Sequence, residues 1–250
     1  MIDYFIGAII FIYGLIFGSF LNVLIYRIPR KNFFSSVSSY CPECKHKLAW
    51  YDLIPVFSYL FLRGRCRYCK EKISVRYPIV ELSNAVLWLL SFVFFRNSIL
   101  DIILSAVLFS LLIVIAGIDL DTQEIPNGLV IAVLVLGVIR FILSFFFGDM
   151  LWFEHLIGAA CISIPFLIIA LITGGGIGGG DIKLCFAVGL FLGWKLTLMG
   201  TFLGIILAGI IALVIMIKHK KSGTIPLAPS LCFGFATALL FGNMILELIF

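Results

Sequence analysis

The chain has 250 residues, of which 62% are hydrophobic and only 12% charged, about half the charged share of an ordinary soluble domain. That balance excludes a water-soluble globular protein and makes lipid the solvent for most of the chain. The net charge of +5 is concentrated between Arg27 and Arg76, where in a membrane protein it marks a cytoplasmic loop rather than a nucleic-acid surface.

The first apolar run extends from about Tyr4 to Tyr26, long enough to span a bilayer. It has no basic segment before it and does not read as a cleavable signal peptide. A polar segment follows from Arg27 to about Pro78. Apolar runs then come in quick succession: Ile79–Phe95, Ile102–Ile118, Leu129–Phe147, Leu156–Ile172, Leu196–Ile217 and Leu227–Phe250. A shorter run, Leu184–Leu192, falls well short of a ~30 Å hydrocarbon core. Counting it as a crossing puts the basic clusters on one side, with local thinning or burial among neighbours accommodating its length. Eight helices result. The Arg27–Arg76 loop, the Asp119–Asn127 loop, the Gly174–Lys183 stretch and the Lys218–Lys221 cluster then face the cytoplasm, and both termini face outward. No internal repeat stands out.

Cys41-Pro42-Glu43-Cys44 and Cys66-Arg67-Tyr68-Cys69 form two CxxC pairs in the polar loop. Each pair sets two thiolates on one side of a tight turn, and two facing turns complete a tetrahedral S₄ shell for zinc. The rival reading, two disulfides, needs an oxidising compartment, which a cytoplasmic loop lacks. Four protein ligands leave no open position, so the expected role of Cys41, Cys44, Cys66 and Cys69 is structural. His46 beside them reads as a surface residue, and Cys161, Cys185 and Cys232, in apolar runs, as buried packing residues.

Few acids lie near the apolar runs. Asp119 and Asp121 close one run, and Asp181 follows Gly178-Gly179-Gly180 and opens the short one. On the charge-derived topology all three share the cytoplasmic boundary, where ionisable groups are costly and tend to be functional. The plain alternatives are a helix N-cap for Asp181 and solvated loop charges for the other two. Against them, six glycines flank Ile177, each costing a helix about 1 kcal/mol, and glycine lets another backbone lie close. Two neighbouring carboxylates also suit peptide hydrolysis. One keeps a proton because like charges resist joint ionisation. The ionised one draws a proton from water while the protonated one polarises the carbonyl. A GxGxxG match at Gly174–Gly179 follows a membrane run rather than a strand and is discarded as a dinucleotide signature.

Several motifs together resemble the bacterial type IV prepilin peptidases. These are Gly18-Ser19-Phe20-Leu21-Asn22-Val23 with Arg27-Ile28-Pro29, the cysteine quartet with Leu53-Ile54-Pro55 and Arg63-Gly64-Arg65, and Arg76-Tyr77-Pro78 through Glu81. Asp119 before Ile125-Pro126-Asn127 is similar to the family's first catalytic aspartate. Gly178-Gly179-Gly180-Asp181-Ile182-Lys183 is similar to its GxGD motif, in which Gly178 and Gly180 are the fixed glycines and Asp181 the second aspartate. Ile225-Pro226-Leu227-Ala228-Pro229 departs from the family's more usual Phe-Gly before the second proline.

The resemblance implies an all-α polytopic membrane protein with about eight transmembrane helices and a small cytoplasmic Cys₄ zinc-ribbon-like loop at 27–78. It implies an N-terminal region, 1–96, associated with methylation, and a membrane-embedded aspartic peptidase domain, 97–250. Such enzymes sit in the bacterial plasma membrane and remove the short basic leader of prepilins or pseudopilins after a glycine, serving pili or secretion. Many also methylate the new N-terminus with S-adenosylmethionine, and the presence of the cysteine-bearing region favours both activities here. The expected partners are those substrates and the lipid bilayer, with no nucleic acid. Asp121 is expected to tune Asp119 or meet the leader's basic residues. A presenilin-like protease would leave the cysteine loop unexplained and lacks its YD partner motif here. A transporter with a Gly-rich re-entrant segment is the reading from another class.

Overall fold

The computed structural model describes residues 2–30, 39–41, 43–147, 152–219 and 226–249. Nine α-helices occur among them: α1 (Ile2–Arg27), α2 (Phe57–Phe61), α3 (Arg76–Phe94), α4 (Ile99–Thr122), α5 (Asn127–Phe147), α6 (Trp152–Ile172), α7 (Gly179–Leu192), α8 (Trp194–His219) and α9 (Ala228–Ile249). All but α2 and α7 are long and apolar enough to cross a membrane, seven in total among the described residues. The protein is therefore an all-α, multi-pass membrane protein. Large apolar side chains such as Ile12, Phe202, Ile210 and Leu213 stay more than half exposed on the helices, a surface suited to lipid. The polar loop, read from sequence as one segment, carries two short elements of its own: a 3₁₀ turn at Trp50–Leu53 and helix α2. The basic cluster at Lys218–Lys221 lies partly outside the described residues.

The chain packs as two units, Met1–Val114 and Ile115–Phe250, and the division falls within α4. In the first unit α1 and α3 lie against one another. Gly14 and Gly18, four residues apart, bring the two backbones together. A methyl group at Gly14 would stand 2.6 Å from Ala85 Cα, and one at Gly18 would stand 2.7 Å from Glu81 Cα. Small residues at this spacing allow the close helix approach that stabilises packing in lipid, where burial of apolar surface gives little drive. The approach also lets Asn84 Nδ2 donate to Gly14 O at 2.8 Å. Ser110 Oγ lies 2.8 Å from Asn84 Oδ1 and accepts Trp88 Nε1–H at 2.9 Å.

In the second unit α7 has only 14 residues, about 21 Å at the α-helical rise. It compensates by burial. Leu184, Cys185, Ala187, Val188, Gly189, Leu190, Phe191 and Leu192 are all buried, against α5, α6, α8 and α9. At its crossing with α6, the backbones of Gly158 and Gly189 touch so closely that neither position has room for a methyl. A helix wrapped by neighbours need not match the thickness of the lipid.

Candidate active site and cysteine cluster

Helix α4 ends where its chemistry begins. Gln123 turns the chain at φ +54°, and its N–H donates to the Asp119 carbonyl at 2.9 Å, a left-handed cap at a residue without glycine's freedom. Asp119, in the last turn of α4, is only 5% exposed. Its Oδ2 accepts the backbone N–H of Ala228 at 3.2 Å. Ala228 is the first residue of α9, so a buried carboxylate sits at the N–H end of a helix, where negative charge is favoured. Asp121 is exposed two residues on.

Asp181 is not an N-cap. Gly178 occupies that position and makes no side-chain cap, and Asp181 is the third residue of α7, its N–H donating to Gly178 O at 3.0 Å. The half-buried Asp181 side chain is within electrostatic reach of Asp119, whose charge acts on it. The glycines before it are not equivalent. A methyl on Gly178 would lie 2.9 Å from Asp181 Oδ2, and one on Gly180 would lie 3.0 Å from Ile125 Cβ. Around Gly179 there is open space. Gly178 has φ −63°, ψ 132°, which any residue adopts, so what glycine provides there is room for the carboxylate. Lys183 Nζ donates to Asn127 Oδ1 at 3.1 Å and ties the start of α7 to the start of α5.

Cys232 on α9 and Cys185 on α7 are both buried, as expected, and both are within electrostatic reach of Asp181. Cys161 is only partly buried, with Sγ 3.3 Å from Gly158 O. The exposed His46 packs against Tyr68 in a tilted pair with ring centroids 3.6 Å apart.

The four loop cysteines converge. Their sulfurs all lie within 4.8 Å of one another, and Cys41 Sγ stands 3.9 Å from Cys69 Sγ. A tetrahedral S₄ shell with metal–sulfur bonds of about 2.3 Å puts its sulfurs about 3.8 Å apart, so the donor set fits a metal ion. All four are free thiols. The two turns are copies of each other. Cys41 N–H donates to His46 O, Lys45 N–H to Cys41 O and Leu48 N–H to Ser39 O. Each bond recurs 25 residues on, from Cys41 to Cys66, as Cys66 to Glu71, Lys70 to Cys66 and Ile73 to Gly64. The bridges Tyr40–Lys47 and Arg65–Lys72 and the left-handed Lys45 and Lys70 repeat at the same offset. The sequence carries this repeat as Cys-x-x-Cys-Lys-x-Lys followed by Leu48 or Ile73, which corrects the expectation of none. The N–H of Cys69 draws the Cys66 thiol down to about 7, with burial opposing, whereas the Glu71 N–H lowers the Cys69 thiol but burial and the neighbouring cysteines outweigh it and push that thiol up to about 12.

Asp52 braces the second turn. Its carboxylate accepts Arg67 Nε–H at 2.7 Å, Tyr68 O–H at 3.1 Å and Ala49 N–H at 3.2 Å. Burial pushes its pKa up, but the hydrogen bonds led by that of Arg67 outweigh it and hold the group below the usual carboxylate range.

Comparison with known proteins points the same way. Residues 12–95 match the family model of the bacterial peptidase A24 N-terminal domain, and residues 106–213 match that of the type IV leader peptidase family. The cysteine quartet lies in the first segment and both aspartates in the second. A prepilin leader peptidase/N-methyltransferase of Bacillus subtilis is 35% identical over 96% of this chain and 96% of its own length. Proteins of the same description from Klebsiella pneumoniae (34% identical; 76% of this chain, 86% of the relative) and Pseudomonas aeruginosa (31%; 93% and 89%) are also similar. No solved structure is significantly similar to the chain.

Proposed function

Because the chain belongs to the type IV leader peptidase family, we propose that it hydrolyses the leader of type IV prepilins or pseudopilins, with Asp119 and Asp181 as the catalytic pair. The observation that supports this reading is that the two carboxylates, one accepting from the N-terminus of α9 and the other in the first turn of α7, lie within electrostatic reach of each other. The ionised carboxylate takes a proton from water, and the resulting hydroxide attacks the scissile carbonyl carbon, which the protonated carboxyl polarises. The tetrahedral intermediate then collapses, the C–N bond breaks, and the departing amine receives a proton. The products are the leader's new carboxylate and the new N-terminal amine of the mature subunit.

The active site faces the cytoplasm of the bacterial plasma membrane, because the basic loop between Arg27 and Arg76 belongs on the inner side. A prepilin anchored by its own apolar helix presents its cut site at that boundary. Ser222→Cys, outside the described residues, is expected to resist an impermeant thiol reagent in intact cells and to react after permeabilisation; labelling in intact cells would reverse this topology.

The cysteine quartet holds one structural zinc. Metal analysis of the purified chain is expected to find one zinc per chain, and a Cys41→Ser/Cys66→Ser variant to lose it together with thermal stability, since structural zinc contributes directly to folding. Zinc-free protein with unchanged stability and activity would contradict this.

The names of the relatives and the presence of the cysteine-bearing segment support a second activity, methylation of the new N-terminus. S-adenosylmethionine, when bound, supplies the methyl group for that step. The peptidase reading is tested by incubating the detergent-purified chain with a prepilin and sequencing the product's N-terminus, with a single cut after the leader's last glycine expected. An intact substrate would favour the transporter reading.

A further inference from the structure

The first unit contains a cavity of about 630 Å³ beside the cysteine turns, within the roughly 300–1,000 Å³ typical of small-molecule sites. The C-terminal part of α1, both cysteine turns and the first turns of α3 line it. Glu81 is in the lining and only 7% exposed. Its Oε2 accepts Val56 N–H at 2.7 Å, and the Ser19 side chain is a second partner. Both partners are neutral. Asp52, in the same lining, has the guanidinium of Arg67.

A buried carboxyl with neutral partners keeps a proton unless a cation compensates its charge. Tyr26, Tyr59 and Tyr77 also line the cavity, with the Arg30 guanidinium 4.0 Å from the centre of the Tyr26 ring; aromatic rings are groups on which a planar base stacks and to which a cation is attracted. Arg27 adds positive charge to the same lining. A ligand matched to this set combines an aromatic base, a cation and a carboxylate. A sulfonium is such a cation, recognised by charge and aromatic faces alone.

We propose that this cavity is the binding site for S-adenosylmethionine, with the Glu81 carboxylate facing the sulfonium; the proposal rests on the reading that the chain methylates its product. Calorimetric titration of the purified full chain tests it without any turnover. Wild type is expected to bind S-adenosylmethionine at least about 10-fold more tightly than S-adenosylhomocysteine, whose sulfur is neutral and loses the attraction of the carboxylate and the rings, and Glu81→Gln, which leaves the rings, is expected to lower that preference at least about threefold. Equal affinities in wild type, or a preference undiminished in Glu81→Gln, would overturn the assignment. A second measurement needs no variant: ultraviolet photolabelling of wild type with radiolabelled S-adenosylmethionine is expected to mark peptides carrying Tyr26, Tyr59 or Tyr77. Label confined to residues 115–250 would overturn the proposal. So would a wild type that binds neither compound, and leader cleavage by the same preparation reports on the peptidase reading separately.

Discussion

Asparagine at Asp119 or at Asp181 is expected to lower kcat for leader cleavage by at least about 10³-fold, the scale of general acid–base catalysis by a positioned group, with KM changed by no more than a few-fold. The amide keeps the shape of the carboxylate but can neither take a proton from water nor share one with its neighbour. Asp119 lies at the start of α9 through Ala228 N–H. In Asp119→Asn the amide oxygen can still accept that bond, so the helix keeps its partner and the loss is chemical. The double variant is expected to be no slower than either single one, because groups acting as a unit are not additive. Comparison of kcat, KM and melting temperature for the three variants checks this. A variant that melts as wild type and retains more than about a tenth of kcat would remove that aspartate from the mechanism.

The glycine run gives the second large effect and a sharp contrast. Alanine at Gly178 puts a methyl 2.9 Å from Asp181 Oδ2, inside van der Waals contact, and the carboxylate must turn away. Alanine at Gly180 meets Ile125 Cβ at 3.0 Å, a branch point that cannot swing aside, and drives the start of α7 off the segment leading into α5. Displacement of a reacting group by about 1 Å costs on the order of 10²-fold, and a loss of that size in kcat/KM is expected for each. Gly179, between them, has nothing within reach of an added methyl and lies in the first turn of α7. Gly179→Ala is expected to cleave within about twofold of wild type and to melt at the same or a higher temperature, since alanine loses less backbone entropy in a helix. Equal losses at all three positions would mean that the glycines serve the loop's conformation rather than the space around Asp181.

Much of this was legible in the sequence because lipid enforces simple rules. Long apolar runs mark the helices able to cross, and the paired CxxC turns announce a four-sulfur cluster. The helices reach two to four residues beyond several runs, as at Thr122, where the last turn of α4 carries Asp119 and Asp121 into polar sequence. The partner of Asp119 could not be read, because a backbone N–H 109 residues away has no side-chain signature. Nor could Gly178 and Gly180 be told from Gly179 by composition. The repeat of the cysteine turns is written in the sequence as Cys-x-x-Cys-Lys-x-Lys, but it is too short to stand out beside the sulfurs, and only the matched hydrogen bonds show that the lysines after each pair belong to it. Glu81 offered only its place in a motif; its burial beside a cavity is a tertiary fact.

The most direct test is to co-express the chain with a prepilin in a host lacking its own leader peptidase and to weigh the intact substrate. Loss of the leader's mass, with the cut following its last glycine, is the result expected, and a further methyl mass on the same product would establish the second activity. A prepilin recovered at full length, across several substrates and with the chain present in the membrane, would contradict the peptidase account.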